Sequence, residues 1–428
     1  MKYQTSGALI RVITEMKRGV TALLLVAAAR SALAAQSQIP LREVSAPELI
    51  SSVFFGYVSG VRPLSNGMVL VNDGGRRQLV ALDAALNLRV VVVDSFANGP
   101  GYGRMPAIFS AYRGDSLILI NRTSMTIINP SGRLASWTPV QMQPLLQSIS
   151  GNSNSIGTDK DGNFIYLANL SQPRSAPGDN LPPPAGQIVN TNFSNRRTKM
   201  LAKIAMEEGG SFSMLRLPDG RMVARTVLNP LPKIEEFVVL SDGTVAIVRQ
   251  GNYHIEFVRT DGNVDSSTAL PFAFRTMSEA DRQGVIDSAR NAQLQAEAKG
   301  VVTSERQGPA AYAQASAGAT PTASVPLPVS AADLSYVSAS ALPERYPPHL
   351  PGGVSADAND NIWIRTTAAD PRSAGATVYD VVNKKGELFQ RVRVPSEKRI
   401  AGFGPDGVLY VSHETAQGWT VERVRIVR

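Results

Sequence analysis

The chain has 428 residues, of which 43% are hydrophobic and 18% charged, a composition typical of a folded globular protein. Its 35 glycines and 28 prolines predict many turns and argue against an architecture of long helices. The formal net charge is +8, but part of it lies within residues 1–30 and the other basic residues are scattered, so we expect no nucleic-acid partner.

The first 34 residues have the pattern of a secretory signal peptide. A basic pair, Lys17-Arg18, is followed by an apolar run over residues 20–29 and by Ala-Leu-Ala at 32–34. We therefore expect cleavage after Ala34 and export to the periplasm or the exterior. The apolar run is too short to span a bilayer, so we do not expect an integral membrane protein. The chain has no cysteine, so no disulfide stabilises the exported protein.

A short phrase recurs along the rest of the chain: an Asn, Asp or Gly turn followed by alternating apolar residues, as in SNGMVLVND at 65–73. Aligned copies of the turn lie at residues 66, 114, 161, 242, 360 and 406, at intervals of 48, 47, 81, 118 and 46 residues. Three intervals fit a unit of four short antiparallel strands, and Asp-Gly and Asn-Gly are the dipeptides of tight hairpins. The pattern predicts an all-β fold, a six-bladed β-propeller over residues 35–428. The alternative is a set of unrelated hairpins in two sandwich domains.

One further turn and the two ends of the chain refine this prediction. The Asp-Gly pair at 219–220 lies only 23 residues before the turn at 242, so we interpret it as the outer turn of the third unit. The last copy, residues 400–428, has room for only three strands. The strand-like stretch 39–44 is expected to supply the fourth, outermost strand, so that an N-terminal strand closes the ring.

The two long intervals contain compositionally distinct insertions. Residues 171–195 are rich in Pro, Asn and Ser and predict a long loop. Residues 278–298 begin with a capping box at Ser278 and Asp281 and predict a helix. The following stretch, rich in Ala, Ser, Thr, Gly and Pro, has little large apolar surface and is expected to be mobile. We place this second insertion at residues 277–345.

Several passages resemble a known group of proteins. VNDGGRRQLVALD at 71–83 resembles the strand–loop–strand signature of NHL-type six-bladed propellers. The passages at 101–121, 271–282 and 379–395 occur in an order similar to that of exported bacterial six-bladed propeller proteins of unknown function. The resemblance covers essentially the whole mature chain and implies a fold. It implies no particular chemistry, because propellers include hydrolases, lyases and plain binding modules.

In a propeller blade the second strand runs toward the face on which ligands usually bind. The residues just past each apolar alternation should therefore surround the mouth of the channel. Amides and guanidinium groups there would suit a ligand with hydroxyl and acidic groups, although these residues are equally consistent with ordinary caps of strand ends. The predicted binding residues are Asp73, Asn121, Asn169, Arg249, Arg365 and His413.

A metal site is the alternative for the same rim. By resemblance to six-bladed metal-dependent lactonases, Asp73, Asn121 and Asn169, with Glu235 or Glu236, would supply oxygen ligands to a divalent cation such as calcium. Hard cations require several converging carboxylates, and the rim positions offer few. We therefore predict no metal and no cofactor, with calcium kept only for the lactonase alternative.

The three histidines give little support for catalysis. Only His413, beside Glu414, falls at the predicted rim, where a general base requires an orienting partner. His254 lies in a predicted third strand and His349 in a predicted loop. No Gly-x-Ser-x-Gly motif and no cysteine nucleophile is present in the sequence.

Glycines and aromatic residues have structural interpretations. Glycines at 60, 157, 353 and 402 fall on predicted innermost strands, where crowding at the axis favours a missing side chain. Aromatic residues in strands, such as Tyr166, Trp363 and Trp419, are expected to fill the space between blades.

These observations predict an exported, monomeric propeller that binds a small molecule or an envelope protein without catalysis. The alternative is a divalent-metal-dependent lactonase or hydrolase of a small sugar-derived ester. A third hypothesis is a scaffold that contacts other proteins through the segment 299–343.

Overall fold

The computed structural model consists mostly of β-strands in a propeller-like arrangement of small sheets. The residues it describes are 39–94, 102, 107–112, 116–120, 124–139, 149–150, 155–168, 185–192, 195, 197–206, 210–216, 222–298, 334–367 and 375–427. The predicted signal peptide and most of segments 171–195 and 299–343 lie outside these ranges. Within them, no helix is both long and apolar enough to cross a membrane.

Three units of strands follow two short N-terminal strands, β1 (Leu41–Val44) and β2 (Leu49–Ile50). Each unit is a separate, largely antiparallel sheet whose strands are paired in chain order. The first unit comprises β3 (Val58–Pro63), β4 (Val69–Asp73), β5 (Gln78–Leu82) and β6 (Leu88–Val93). The second comprises β7 (Ile108–Ala111), β8 (Leu117–Ile120), β9 (Ser124–Ile128) and β10 (Leu134–Pro139). The third comprises β11 (Ile149–Ser150), β12 (Gly157–Thr158), β13 (Phe164–Ala168), β14 (Ala185–Asn192) and β15 (Arg197–Ala205).

An extra hairpin interrupts the series after the third unit. Strands β16 (Gly210–Arg216) and β17 (Met222–Leu228) pair with each other and not with β15. The prediction that the Asp-Gly pair at 219–220 forms the outer turn of the third unit is therefore wrong. The third unit already has its outer strand, β15, so the hairpin must pair elsewhere.

The fourth unit is again a separate four-stranded sheet: β18 (Glu236–Val239), β19 (Val245–Arg249), β20 (His254–Val258) and β21 (Val264–Ser266). Its first turn is of the predicted Asp-Gly kind. Gly243 has φ +84°, in the left-handed region that favours glycine, and its N–H donates to Leu240 O. A Cβ there would lie 2.8 Å from Cα of Asp159 in the third unit.

The predicted helix is confirmed as α1 (Glu279–Ala298). Its capping box forms as expected, because Ser278 Oγ accepts from the Asp281 N–H at 3.1 Å and the Asp281 carboxylate accepts from the Ser278 N–H at 2.9 Å. After the helix, β22 (Leu334–Tyr336) pairs in parallel with β17, which joins the extra hairpin to the second insertion. A 3-10 turn at Ala339–Ala341 follows.

The fifth and sixth units are the two halves of one nine-stranded sheet. The fifth comprises β23 (His349–Ala356), β24 (Ile362–Thr366), β25 (Ala376–Val382) and β26 (Leu388–Pro395). The sixth comprises β27 (Lys398–Phe403), β28 (Val408–Thr415) and β29 (Gly418–Val427).

The N-terminal strands pair with the C-terminal unit. Strand β1 is antiparallel to β29, with Glu43 opposite Val427, and it is also parallel to β26. Strand β2 extends the contact, because Leu49 lies opposite Arg423 of β29. The double pairing of β1 is what merges the fifth and sixth units into one sheet, so four units remain separate.

Six apolar clusters fill the spaces between consecutive units, and the last returns from the sixth unit to the first. Buried pairs that represent them are Leu70 with Phe109, Ile120 with Tyr166, Ile165 with Ile247, Val248 with Ile364, Trp363 with Val411, and Tyr410 with Val71. Alternate residues of one strand therefore pack against opposite neighbours, as the pleat requires. The expectation that strand aromatics pack between units is confirmed, since Tyr166, Trp363 and Trp419 are all buried.

Close approach between first strands explains the glycines. A Cβ on Gly402 in β27 would lie 2.0 Å from the carbonyl oxygen of Val61 in β3. A Cβ on Gly157 in β12 would lie 2.6 Å from Cβ of Val239 in β18. The predicted placement of these glycines on first strands is confirmed.

Candidate functional site

The candidate site lies at the end of the sheets where the first strand of each unit begins and its second strand ends, which we call the rim face. The pairs Val58 with Asp73, Glu236 with Val248, His349 with Thr366, and Lys398 with His413 lie at this end. Among the predicted binding residues, Asp73, Arg249, Arg365 and His413 are located here. Asn121 and Asn169 lie outside the described residues.

Asp73 is buried and holds the loop that precedes β3. Its carboxylate accepts hydrogen bonds from the backbone N–H groups of Gly56 at 3.0 Å, Tyr57 at 3.1 Å and Arg76 at 3.0 Å. These bonds use the acceptor sites that a cation would need. Across the described ranges, no group of three or more His, Asp or Glu side chains is arranged to hold a metal ion.

Arg249 is clamped by two carboxylates at the edge between the third and fourth units. Its guanidinium donates to Glu235 and Glu256, each at 2.6 Å, and to the backbone oxygen of Lys203 at 3.1 Å. Burial opposes the charge of Arg249, but the two carboxylates outweigh it and hold its pKa above the ordinary value. His254 adds to the cluster, with Nε2 3.5 Å from Glu256 Oε1. The side chain of Arg249 is nevertheless 19% exposed.

A buried histidine and a partly buried carboxyl meet between the fourth and fifth units. His349 is 0% exposed, and neither ring nitrogen has a hydrogen-bond partner among the described residues. Its Nδ1 lies 3.9 Å from Oε2 of Glu236, the first residue of β18. The Glu236 carboxyl accepts from the N–H groups of Gly352 and, at 2.9 Å, Gly353.

Burial shifts both groups of this pair toward their neutral forms. It raises the pKa of Glu236 to about 7, against the backbone donors and the nearby charge of Arg365. It lowers the pKa of His349 to about 4, and the same arginine acts in that direction.

The prediction that His349 lies in a loop is wrong, because it is the first residue of β23. A register shift between His349 and Val354 extends β23 beyond the repeated phrase, so alignment of the repeats missed it. Its neighbour in the strand is contacted by the insertions. The insertion cluster of Leu231, Met277, Ile286 and Leu342 packs against Leu350, the next residue. No local sequence signal indicates that contact.

The rim between the fifth and sixth units, the fifth–sixth mouth, holds a second histidine in a different environment. His413 Nδ1 lies 3.1 Å from Oε1 of Glu422, and Lys398 Nζ lies 2.6 Å from Oε2 of the same carboxylate. Glu422 is buried, whereas the His413 side chain is 32% exposed. The orienting partner of His413 is therefore Glu422, nine residues later on the adjacent strand β29, and not its neighbour Glu414.

Arg365 belongs to the same mouth. Side chains alternate along a strand, and Trp363, two residues earlier, packs in the cluster between the fifth and sixth units together with Val411, two residues before His413. Tyr379 lies directly opposite Arg365 in the sheet and is buried in that cluster. Burial raises the pKa of Tyr379, and the nearby charges of Arg365 and Arg399 oppose this shift. Two of the predicted residues, Arg365 and His413, thus lie on the sides of their strands that face the boundary between the fifth and sixth units.

Comparison with known proteins adds little to this description. No family model matches the chain, and neither does any curated protein. Solved structures with some similarity include a member of the DUF4221 family from Bacteroides vulgatus, at 10% identity over 90% of this chain and 99% of that one, with a TM-score of 0.45. Virginiamycin B lyase from Staphylococcus aureus shares 9% identity over 89% and 98%, with a TM-score of 0.37. A gluconolactonase from Xanthomonas campestris shares 11% identity over 87% and 88%, with a TM-score of 0.36. The fold of this chain is defined by its strand pairing and by the apolar clusters between its units.

Proposed function

We propose that the six units are the blades of a six-bladed propeller, closed by β1 and β2 and exported after cleavage behind Ala34. The cyclic order of the six apolar clusters and the pairing of Glu43 opposite Val427 support the ring. The basic pair, apolar run and Ala-Leu-Ala site support export. Deletion of residues 39–50 tests the closure: the melting temperature should fall by several degrees, and an unchanged value would contradict it.

We infer that the protein binds a small polar ligand on the rim face without transforming it. The observation that carries this inference is that rim side chains are held by partly buried ion pairs and yet remain accessible. Arg249 is fixed between Glu235 and Glu256, and His413 is fixed by Glu422. Groups held in place in advance lose little conformational entropy when a ligand binds, which favours affinity.

The test is thermal melting of the mature chain with a panel of sugars and sugar acids. A ligand that binds the folded state raises the melting temperature, and His413→Asn or Arg249→Gln should reduce the shift for ligands of the rim face. Lys160→Gln is the matched control, because Lys160 lies in a turn at the opposite end of the third unit. If no compound gives a shift that the rim variants alter, ligand binding at this face is wrong. A shift that needs calcium and disappears with a chelator would favour the metal-dependent hydrolase instead.

A further inference from the structure

Among the described residues of the fifth–sixth mouth, His413 can offer a ligand a hydrogen-bond acceptor and Arg365 can offer it a cation. Both oxygens of Glu422 are engaged, Oε1 by His413 and Oε2 by Lys398. Lys398 is in turn occupied by that carboxylate and only 13% exposed. The outer nitrogen of His413 and the guanidinium of Arg365 remain, and Arg365 forms no ion pair with any described residue.

The partner of His413 determines what its outer nitrogen can do. A carboxylate held by a lysine ammonium only accepts hydrogen bonds, so Nδ1 of His413 carries the hydrogen that it donates to Glu422. In the neutral ring, Nε2 is then an acceptor. A ligand must therefore bring a donor to Nε2, such as a hydroxyl group.

Arg365 requires the opposite kind of ligand group, a hydrogen-bond acceptor. Its guanidinium has only donors and a permanent charge, and it matches the planar fork of a carboxylate. A neutral sugar offers no charge to this group. Inorganic phosphate offers charge, but it lacks a separate alcohol for His413.

We propose that the fifth–sixth mouth binds a hydroxy acid of the sugar-acid class, with its carboxylate on Arg365 and an alcohol group donating to Nε2 of His413. This assignment rests on the proposed function, because it names the class of ligand for the same face. It explains why an arginine and a histidine from different units lie at the same boundary while the buried Glu422 keeps the imidazole ring in one orientation.

Calorimetric titration of the mature chain at constant ionic strength tests the assignment, with D-gluconate, inorganic phosphate and D-glucose as probes. D-gluconate should bind more tightly than either of the others. Arg365→Gln should weaken D-gluconate binding at least about tenfold, since it removes a charge-assisted contact, and Arg365→Lys should weaken it less. His413→Asn keeps a donor near Glu422 but removes the outer acceptor, so it should weaken D-gluconate and leave phosphate unchanged. Lys160→Gln should match the wild type.

The outcomes separate this assignment from the general one. Equal binding of D-gluconate and phosphate, both lost in Arg365→Gln, would overturn the role of His413 and leave a plain anion site. If D-glucose binds and its affinity is unchanged by Arg365→Gln, the hydroxy-acid assignment is overturned, while ligand binding at the rim face remains. D-gluconate binding that survives both variants would place the ligand elsewhere. Circular dichroism of each variant confirms that a loss of binding is not a loss of fold.

Discussion

His349 and His413 lie at the same face of neighbouring units, but they differ in burial and in hydrogen bonding. His349 opens β23, is fully buried and has no hydrogen-bond partner among the described residues. His413 lies near the end of β28, is 32% exposed and is oriented by the carboxylate of Glu422. Burial favours the neutral form of the His349 imidazole, whereas the carboxylate of Glu422 holds the His413 imidazole in place.

The two histidines also differ in what packs near them. The insertion cluster, which includes Met277 and Leu342, packs against Leu350, the residue after His349. Arg365 and His413 of the fifth–sixth mouth are not among the described residues of this cluster. Burial of a histidine makes the stability of the fold depend on pH. A partly exposed histidine that is held by a buried carboxylate can instead bind a ligand. Four predictions examine this contrast.

The largest effect is expected from Glu422→Gln. The change leaves the Lys398 ammonium, 13% exposed, without its counter-charge, which should lower the free energy of unfolding by about 3–5 kcal/mol. Urea unfolding measures it. The double variant Glu422→Gln, Lys398→Met should be less destabilised than the single one, because no buried charge is left unpaired. If the double variant loses as much free energy of unfolding as the two single variants together, the pair does not act as a unit.

The pair of His349 and Glu236 should give two pH profiles of opposite slope. In His349→Gln only Glu236 remains: its pKa is raised from 4.5 to about 7, so the folded chain keeps a proton that the unfolded chain releases. Stability should then be greatest below pH 4.5 and fall by on the order of 3 kcal/mol as the pH rises to about 7.

Glu236→Gln isolates the other group of the same pair. The pKa of His349 is lowered from 6.5 to about 4, so stability should be complete above pH 6.5 and fall by a similar amount as the pH drops to about 4. In the wild type the two slopes oppose each other between pH 4.5 and 6.5. Unfolding midpoints across this range, with Lys160→Gln as a control of wild-type behaviour, provide the measurement. Parallel slopes in the two variants would mean that other groups dominate.

Loosening the insertion cluster should bring the two histidines closer in behaviour. Leu342 is 3% exposed, and Leu342→Ala should cost about 2 kcal/mol, near the low end for a leucine because the cluster is small. The acid-dependent loss of stability attributed to His349 should shrink as water reaches the ring. Leu294→Ala, at a 48% exposed position of α1, is the matched control and should change stability by less than about 0.5 kcal/mol. An unaltered pH profile in Leu342→Ala would separate the cluster from His349.

The smallest change in stability is expected from His413→Asn, below about 1 kcal/mol, because the position is partly exposed and the amide can still donate to Glu422. Thermal melting without ligand measures it. A loss as large as that of Glu422→Gln would show that His413 is chiefly structural and would remove the contrast with His349.

Much of the fold was predictable because it is encoded locally. The Asp-Gly turns and alternating runs lead into strands such as β4, β13, β19 and β28, and the capping box at Ser278 starts α1 as expected. The hairpin of β16 and β17 was misassigned, because its turn looks like any other and only pairing with β22 separates it from the third unit.

The site was predictable only in part. Arg365 and His413 follow from their place at the ends of second strands, a matter of spacing. Glu422 lies in the middle of β29, within an ordinary alternating stretch, and only its position one strand away from His413 makes it a partner. His349 and Glu236 are 113 positions apart in the chain and meet across the boundary between two units.

The sequence by itself determined where strands begin and turn, because hairpin geometry and apolar alternation are properties of a few adjacent residues. The tertiary structure decided which ionisable groups are buried, paired or open to solvent. Burial and charge pairing depend on what packs above a residue and on which strand lies beside it, and contacts between distant segments carry no local signature.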